Sequence, residues 1–382
     1  VRAIDDFVSA SSGGLDAPKG IAFGPDGNLY VSSSANDTVL QYDGVDGHFL
    51  SELFTPGTGG LDSPHGIAFG KDDNLYITSR NTDEIFVYDF VSSTLSLCVA
   101  AGDHGLDDPT DVAFGPGAEN HLYVTSRVTD SVYRFDATTG TYVDQFVATE
   151  SGGLDSPHAL TFGPDNQLYV SSTGDNQAVL RYDIDGAFVD TFIGVGSGGL
   201  VSPRNVAFDS AGHLYVADST NDQILSYDSV TGESTGTYVT SNSGGLDVPI
   251  GIVVGGDGNL YATSRNSDAV LRFGTASQAV LTVTLSAPSA SAVSVDFDTV
   301  DGTARATDGD FVSTSGTLVL DAGVTSRKIA IPTLVNPGEE GHETFQVTLS
   351  NPTGGTTNAS HTGTVVLKDT PASRQHFRLM PE

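Results

Sequence analysis

Basic side chains and histidines recur at two fixed positions in this sequence. The first position directly follows a recurrent proline and holds Lys19, His65, Thr110, His158, Arg204 and Ile250. The second position lies 15 to 17 residues further on and holds Ser34, Arg80, Arg127, Thr173, Ser219 and Arg265. Arginine and lysine bind oxyanions, and histidine exchanges protons near neutral pH. The pattern predicts a pocket for an anionic or polyhydroxy ligand, formed by Lys19, His65, Arg80, Arg127, His158, Arg204 and Arg265.

The residue after the first position adds two further polar groups. Along the chain it is Gly20, Gly66, Asp111, Ala159, Asn205 and Gly251. We expect Asp111 and Asn205 to contribute to the same pocket. A competing interpretation is that the cations only offset neighbouring carboxylates, because the chain has 48 acidic residues and a formal net charge of -32.

Catalysis at this pocket is the less favoured interpretation. Proton abstraction by a lyase needs bases that lie close together, such as a histidine and a glutamate. His65 and His158 lie two repeats apart, and no glutamate occupies either recurrent position. The residues therefore favour binding over catalysis.

Both positions belong to a phrase that recurs six times. Its first copy is GGLDAPKGIAFGPDGNLYVSSS, and its leucine recurs 45 to 48 residues apart at Leu15, Leu61, Leu106, Leu154, Leu200 and Leu246. Within each copy, short apolar runs alternate with turn signals such as Asp26-Gly27 and Asp43-Gly44. Asp37, Asp83, Asp130, Asp222 and Asp268 follow the second run, where we expect each carboxylate to bond the backbone of its own turn. Four strands in about 45 residues are typical of one blade of a β-propeller.

The two ends of the repeat region complement each other. The sixth copy stops after its third strand, at Phe273, and the chain begins with a lone apolar strand at 3–9. That strand precedes Gly13-Gly14-Leu15 as the fourth strand of the other copies precedes their glycines. We therefore predict a closed six-bladed propeller in which residues 1–12 complete the sixth blade, since closure leaves no open edge.

The repeat resembles the NHL family. The phrases that carry the resemblance are P-x-G-I-A-F, D-G-N-L-Y-V and, from Asn36 to Asp43, N-D-x-V-L-x-Y-D. More loosely, the repeat is similar to six-bladed gluconolactonase-type proteins and streptogramin lyases. The gluconolactonase resemblance implies a metal-binding carboxylate in the first blade. Gly20 holds that place here, which argues against lactonase chemistry.

A second domain follows, with six alternating apolar strands that are typical of a β-sandwich. The phrases TVTLSAPSASAVSVDFDTVDGTA, GDF, GTLVL and ETFQVTLSNPTGG resemble a Calx-beta domain. This resemblance implies Ca²⁺ binding by Asp308, Asp310, Glu340, Glu343 and Asp369. Two stretches in which the family carries several aspartates hold Val335-Asn336-Pro337 and Lys368-Asp369-Thr370 here, and fewer carboxylates imply weaker binding.

The opening strand of that family, with its V-x-E-G phrase, is missing from this chain. A sandwich without it exposes unpaired backbone groups and an apolar groove. Two occupants of the groove remain open. Either the tail 370–382 folds back, or a neighbouring molecule donates a strand and so builds an assembly. The third alternative is an edge that stays uncovered or is remodelled.

Composition and charge limit the kinds of partner that this protein can bind. The acidic surface repels nucleic acid and anionic membranes, and no stretch of 18 apolar residues is present to span a bilayer. The single cysteine, Cys98, has no partner within the chain. Val1 in place of a methionine fits a processed N-terminus. We expect an extracellular or cell-surface protein with a protein or polysaccharide partner.

The sequence therefore predicts an all-β protein of two domains. Residues 1–273 form the propeller, 274–279 a linker, 280–369 the Calx-beta-like sandwich and 370–382 a tail. The predicted function is binding or scaffolding, with the ligand at one mouth of the central channel. The alternative is a hydrolase or lyase that uses the same mouth.

Overall fold

The structure is a computed structural model and describes residues 3–117, 119–274, 277–308, 310–333, 342–354 and 361–368. The chain divides into two compact units, Val1–Gly274 and Thr275–Glu382. Every long element of the described residues is a β-strand, so the predicted all-β class is confirmed. None of the helices in these ranges has the length and apolar character needed to cross a membrane.

The first unit consists of β1 (Ala3–Val8) and 23 further strands, which together form six four-stranded antiparallel sheets. Sheet 1 contains β2 (Pro18–Phe23), β3 (Leu29–Ser33), β4 (Thr38–Tyr42) and β5 (Phe49–Glu52). Sheet 2 contains β6 (Pro64–Phe69), β7 (Leu75–Ser79), β8 (Glu84–Asp89) and β9 (Thr94–Val99). Sheet 3 contains β10 (Pro109–Phe114), β11 (His121–Ser126), β12 (Ser131–Asp136) and β13 (Tyr142–Val147).

The remaining sheets repeat this order, and β1 supplies one strand of the last. Sheet 4 contains β14 (Pro157–Phe162), β15 (Leu168–Ser172), β16 (Ala178–Tyr182) and β17 (Phe188–Ile193). Sheet 5 contains β18 (Pro203–Phe208), β19 (His213–Asp218), β20 (Gln223–Asp228) and β21 (Ser234–Val239). Sheet 6 contains β22 (Pro249–Val254), β23 (Leu260–Ser264), β24 (Ala269–Phe273) and β1.

A short 3-10 turn of the repeat phrase precedes the first strand of each repeat, namely β2, β6, β10, β14, β18 and β22. These turns are Ser12–Gly14, Thr58–Gly60, Asp103–Gly105, Ser151–Gly153, Ser197–Gly199 and Ser243–Gly245. Gly13 has φ 63, a left-handed conformation that glycine adopts without steric cost. The turn then places the leucine of the phrase inside the fold, where Leu15 is 1% exposed.

Aromatic residues of the repeat fill the space between neighbouring sheets. Tyr30 meets Phe69 of the next sheet edge to face, with ring centroids 5.1 Å apart. The same contact joins the last sheet to the first, since Tyr261 lies 5.0 Å from Phe23. Edge-to-face pairs of this kind add stability beyond the burial of their area.

Aspartates of the turns after the second strands connect one sheet to the next. Asp37 Oδ1 accepts the backbone N–H of Ser63 in the following repeat at 2.8 Å. The equivalent bond runs from Ala17 N to Asp268 Oδ1 at 2.9 Å, between the last and first repeats. The prediction that these carboxylates bond their own turns is therefore wrong. Each of these aspartates has a left-handed backbone, as at Asp37 with φ 53, and its side chain reaches the following repeat.

The N-terminal strand pairs antiparallel with β24, in the register Ala3 to Phe273 and Val8 to Val270. Arg272 is 3% exposed and donates from Nε to Asp5 Oδ1 at 3.1 Å. Its guanidinium also lies 4.9 Å from the ring centroid of Phe7. A buried guanidinium needs such a partner, because an unpaired buried charge is costly.

The second unit contains the six strands expected from the sequence. They are β25 (Ser277–Thr284), β26 (Val293–Val300), β27 (Ser315–Leu320), β28 (Ser326–Thr333), β29 (His342–Thr353) and β30 (His361–Lys368), with a 3-10 turn at Ala306–Asp308. One sheet has the order β27-β26-β29-β30, and β25 pairs with β28 in another. Phe311 and Phe345 stack in the core between them, 4.1 Å apart.

The first strand of the second unit begins earlier in the chain than the sequence predicted. Strand β25 begins at Ser277, inside the predicted linker 274–279, because its ladder with β28 continues from Val280 back to the pair Ser277 and Thr333. Residues 275 and 276 and the tail lie outside the described residues.

Candidate functional site

The inner strands of the first unit, β2, β6, β10, β14, β18 and β22, converge on one channel. Each packs against the inner strand of the next sheet, and β22 packs against β2. Hydroxyl groups of the second strands hold the ends of the inner strands in place. Ser32 Oγ donates to His65 O at 2.7 Å, and Thr263 Oγ1 donates to Lys19 O at 2.9 Å. The residues after the recurrent prolines are thereby fixed around one mouth.

Five predicted cations lie together at that mouth, which we call the basic mouth: Lys19, Arg80, Arg127, Arg204 and Arg265. Burial, together with the charges of Arg265, Arg80 and Arg204, lowers the pKa of Lys19 to about 7. Burial also lowers the pKa of Arg204, with contributions from Arg127, Arg80 and Arg265. Arg80 and Arg127 share one ion-pair partner, and the repulsion of Lys19 and Arg204 by their neighbours places the five charges in one region.

One carboxylate partly compensates this charge. Arg80 and Arg127 both pair with Asp108, and Arg127 Nη1 lies 3.0 Å from its Oδ2. Sequence reasoning missed Asp108, although it replaces an alanine, serine or valine found before the proline in other repeats. Within the described residues, no carboxylate lies within ion-pair distance of Lys19, Arg204 or Arg265. The charge-offset interpretation therefore accounts for two of the five cations.

The two histidines lie side by side at the centre of the mouth. Their ring centroids are 4.9 Å apart, so the expectation that residues two repeats apart cannot lie close together is wrong. The channel is narrow, and inner strands that are distant in sequence meet across its axis. His65 Nδ1 lies 2.7 Å from Thr110 O, whereas His158 Nδ1 has no hydrogen-bond partner among the described residues. Burial lowers the pKa of both rings, so both are neutral at pH 7.

Asp111 and Asn205 lie one layer deeper than the basic mouth. Asp111 Oδ2 accepts the backbone N–H of Leu160 at 3.1 Å, and Asn205 Nδ2 approaches the same oxygen at 3.5 Å. Between this layer and the mouth, the side chains of Lys19, His65 and His158 leave a space of only about 10 Å³. A space of that size holds about one water molecule. A ligand of the cations must therefore sit on the mouth rather than inside the channel.

The expected metal ligands do not come together in the described residues. No three His, Cys, Asp or Glu side chains within those ranges lie close enough to hold an ion. Asp310 is 4% exposed, and its Oδ2 accepts the backbone N–H of Arg305 at 2.7 Å. Glu343 lies on β29, while Glu340, Asp369 and the side chain of Asp308 fall outside the described residues. The predicted Ca²⁺ set is therefore described only at two of its five positions.

Comparisons with known proteins agree with this architecture. The model of the Calx-beta domain matches residues 273–371. Among solved structures, a gluconolactonase from Xanthomonas campestris is similar with a TM-score of 0.55 and 19% identity, over 71% of this chain and 87% of that chain. A virginiamycin B lyase from Staphylococcus aureus is similar with a TM-score of 0.52 and 12% identity, over 88% of this chain and 98% of that chain.

A third similar structure is described as a binding protein rather than an enzyme. It is an auxiliary nutrient binding protein from Bacteroides thetaiotaomicron, with a TM-score of 0.54 and 17% identity, over 72% of this chain and 75% of that chain. No curated protein matches the sequence. At these identities the likeness concerns the fold, and enzymes and binding proteins share it. The chain thus joins a β-propeller to a Calx-beta domain.

Proposed function

We propose that this is an extracellular or cell-surface binding protein whose propeller recognises an anionic partner, such as a sulfated or carboxylated polysaccharide, at the basic mouth. The observation that carries the proposal is the group of five cations on a chain of net charge -32. Three of them lack a carboxylate partner in the described residues, and mutual repulsion makes their grouping costly. An anion would offset that cost.

The proposal includes a closed ring of six blades, with β1 as the outer strand of the sixth. It is supported by the contact of β22 with β2 and by the Asp268 bond to Ala17. A closed ring brings the six ends of the inner strands to one mouth. It also leaves that mouth rigid, which reduces the ordering cost of binding.

Titration calorimetry with dextran sulfate tests the proposal, with uncharged dextran as the matched ligand. We expect the wild-type chain to bind dextran sulfate and not dextran. The double variant Arg204→Gln/Arg265→Gln should bind at least about tenfold more weakly, since two charge-assisted contacts are lost. Arg181→Gln is the control variant, because Arg181 pairs with Asp190 on the outer strands of sheet 4. Equal binding of both polymers would contradict the proposal.

A second candidate function rests on the contact between His65 and His158. Two neutral imidazoles lie beside Lys19, whose pKa is about 7, and an unprotonated ring nitrogen can act as a base. One similar structure is a catalytically inactive histidine-to-alanine variant of virginiamycin B lyase with quinupristin. Assays with quinupristin and with gluconolactone test this candidate. Turnover that is lost in His158→Ala would favour the enzyme over the binding protein.

The second unit is proposed to bind Ca²⁺ weakly and to take part in assembly. The support is the Calx-beta match and the acidic loop that Asp310 organises through Arg305. With few carboxylates, we expect affinity in the millimolar range. Calorimetry and thermal shift at about 10 mM Ca²⁺ test the site, and the absence of both heat and shift would argue against it.

A further inference from the structure

The channel has a second opening, at the opposite ends of the inner strands. A cavity of about 280 Å³ lies there and extends from the Asp111 layer to Phe208 and Val254, the last residues of β18 and β22. It is thus far larger than the narrow space behind the basic mouth. Its volume is at the lower end of the range for small-molecule sites.

Asp111 is the charged group at the inner end of this cavity. It is 8% exposed, and burial raises its pKa to about 7. A carboxyl group in such surroundings is ionised only at a cost, which a bound cation would offset. Gly66 leaves the room for it, because a Cβ at Gly66 would lie 2.5 Å from Asp111 Oδ1.

The fold does not require a carboxylate at this position. The five equivalent residues of the other repeats are Gly20, Gly66, Ala159, Asn205 and Gly251. The backbone group that Asp111 satisfies, Leu160 N, has an equivalent in Ile252 N, which the neutral amide of Asn205 satisfies at 3.4 Å. An asparagine therefore suffices for the structural task, and the charge of Asp111 is left to be explained.

The lining of the cavity indicates which chemical groups a ligand must carry. Inner strands are the edges of their sheets, so backbone carbonyl and N–H groups of these strands face the channel. Apolar residues such as Ile21, Leu160 and Val206 also line it. Calcium is a poor fit, because it takes six to eight oxygen ligands with several carboxylates. A primary ammonium has three donors, which suits one carboxylate and nearby carbonyl oxygens.

The charge around this opening has the sign that attracts cations. The turns that follow the inner strands carry Asp26, Asp72, Asp165, Asp209 and Asp257. Their carboxylates accept the hydroxyl groups of buried tyrosines, as Asp26 Oδ2 does from Tyr30 at 2.8 Å. They place negative charge in the turns beyond the ends of the inner strands, whereas the five cations lie at the other mouth. A channel with this polarity steers cations to one end and anions to the other.

We propose that the cavity between Asp111 and the ends of the inner strands binds a small primary amine, with its ammonium group on Asp111 and its apolar part against the channel wall. This second site is independent of the basic mouth. It has the opposite charge preference, and it assigns Asp111 and Asn205 to a different ligand from the one expected from the sequence.

Calorimetric titration with benzylammonium chloride tests the proposal, with benzyl alcohol as the uncharged match. We expect binding of the ammonium only, and at least about tenfold weaker binding by Asp111→Asn, because the ion pair is lost. Arg181→Gln is the control, since Arg181 pairs with Asp190 on the outer strands of sheet 4, and its affinity for benzylammonium should equal that of the wild-type chain.

A second variant keeps the proposal testable if Asp111→Asn does not fold. Asn205→Asp is nearly isosteric, retains the acceptor for Ile252 N and adds a second carboxylate near Asp111, so it should bind benzylammonium more tightly. Equal binding of benzylammonium and benzyl alcohol would overturn the proposal. So would unchanged affinity in a folded Asp111→Asn variant, or weaker binding by a folded Asn205→Asp variant.

Discussion

Lys19 shows what the grouping of charges at the basic mouth costs in stability. It is half-buried beside Arg80, Arg204 and Arg265, and its pKa falls from 10.5 to about 7. The folded chain therefore holds this proton less tightly than the unfolded chain does. The resulting destabilisation of the folded state has its full size below pH 7. It decreases as the pH rises from 7 towards 10.5, and it is absent above that range.

Replacing Lys19 by methionine should therefore stabilise the protein in a pH-dependent way. We expect the Tm of Lys19→Met to exceed that of the wild-type chain by about 2–4 °C or more at pH 6, if at least about 1 kcal/mol is recovered. The difference should shrink towards pH 10, where the wild-type lysine is neutral in the folded state. Thermal unfolding at pH 6, 8 and 10 measures it, and a constant difference across that range would contradict the assignment.

At the residue scale, the sequence predicted that the five cations lie together, but not which other side chains they meet. Lys19 and the four arginines were found because they occupy equivalent positions of a repeat, and equivalent positions converge in a ring. The contact between His65 and His158 was missed because it depends on the width of the channel, which no spacing along the chain reveals. The role of Asp108 was missed because it depends on two arginines of neighbouring sheets.

Equivalent contacts hold successive sheets together, because the residues that make them recur along the repeats. Tyrosine and phenylalanine pack edge to face between sheets, and aspartates of the turns bond the next repeat. The sequence predicted the strands well because alternation and turn signals are local. It did not predict the target of the aspartates, because the N–H group that each one accepts lies in the following repeat.

The bond from Asp268 to Ala17 gives a direct test of ring closure. In a closed ring, Asp268→Ala should cost about 1.5–3 kcal/mol of unfolding free energy, as expected for a hydrogen bond to a charged group. Asp37→Ala is the matched control, since it removes the same bond between sheets 1 and 2. Urea unfolding measures both variants. A clear loss in Asp37→Ala with none in Asp268→Ala would mean that the seam between sheets 6 and 1 is open.

At the scale of the whole molecule, the second unit raises the question of assembly. In the part of this unit that the structure describes, β25 pairs with β28 in a sheet of two strands. Sheet edges are templates for strand addition. The sequence indicates two sources for an added strand, the tail 370–382 or a neighbouring molecule.

Truncation after Asp369 distinguishes the two sources. If a neighbouring molecule donates the strand, we expect light scattering to show concentration-dependent oligomers for the intact and the truncated chain. If the tail fills the edge, the intact chain should be monomeric and the truncated chain should have a lower Tm. A monomeric truncated chain with an unchanged melting curve would contradict both.

The central claim of this account is that an acidic protein presents a local basic mouth that binds anions. Its most direct test is the salt dependence of the dissociation constant for dextran sulfate, measured by calorimetry between 50 and 500 mM NaCl, roughly from a 14 Å to a 4 Å screening length. We predict that binding weakens at least about tenfold over this range in the wild-type chain, and much less in Arg204→Gln/Arg265→Gln. Binding that is insensitive to salt, or equally sensitive in both chains, would contradict the claim.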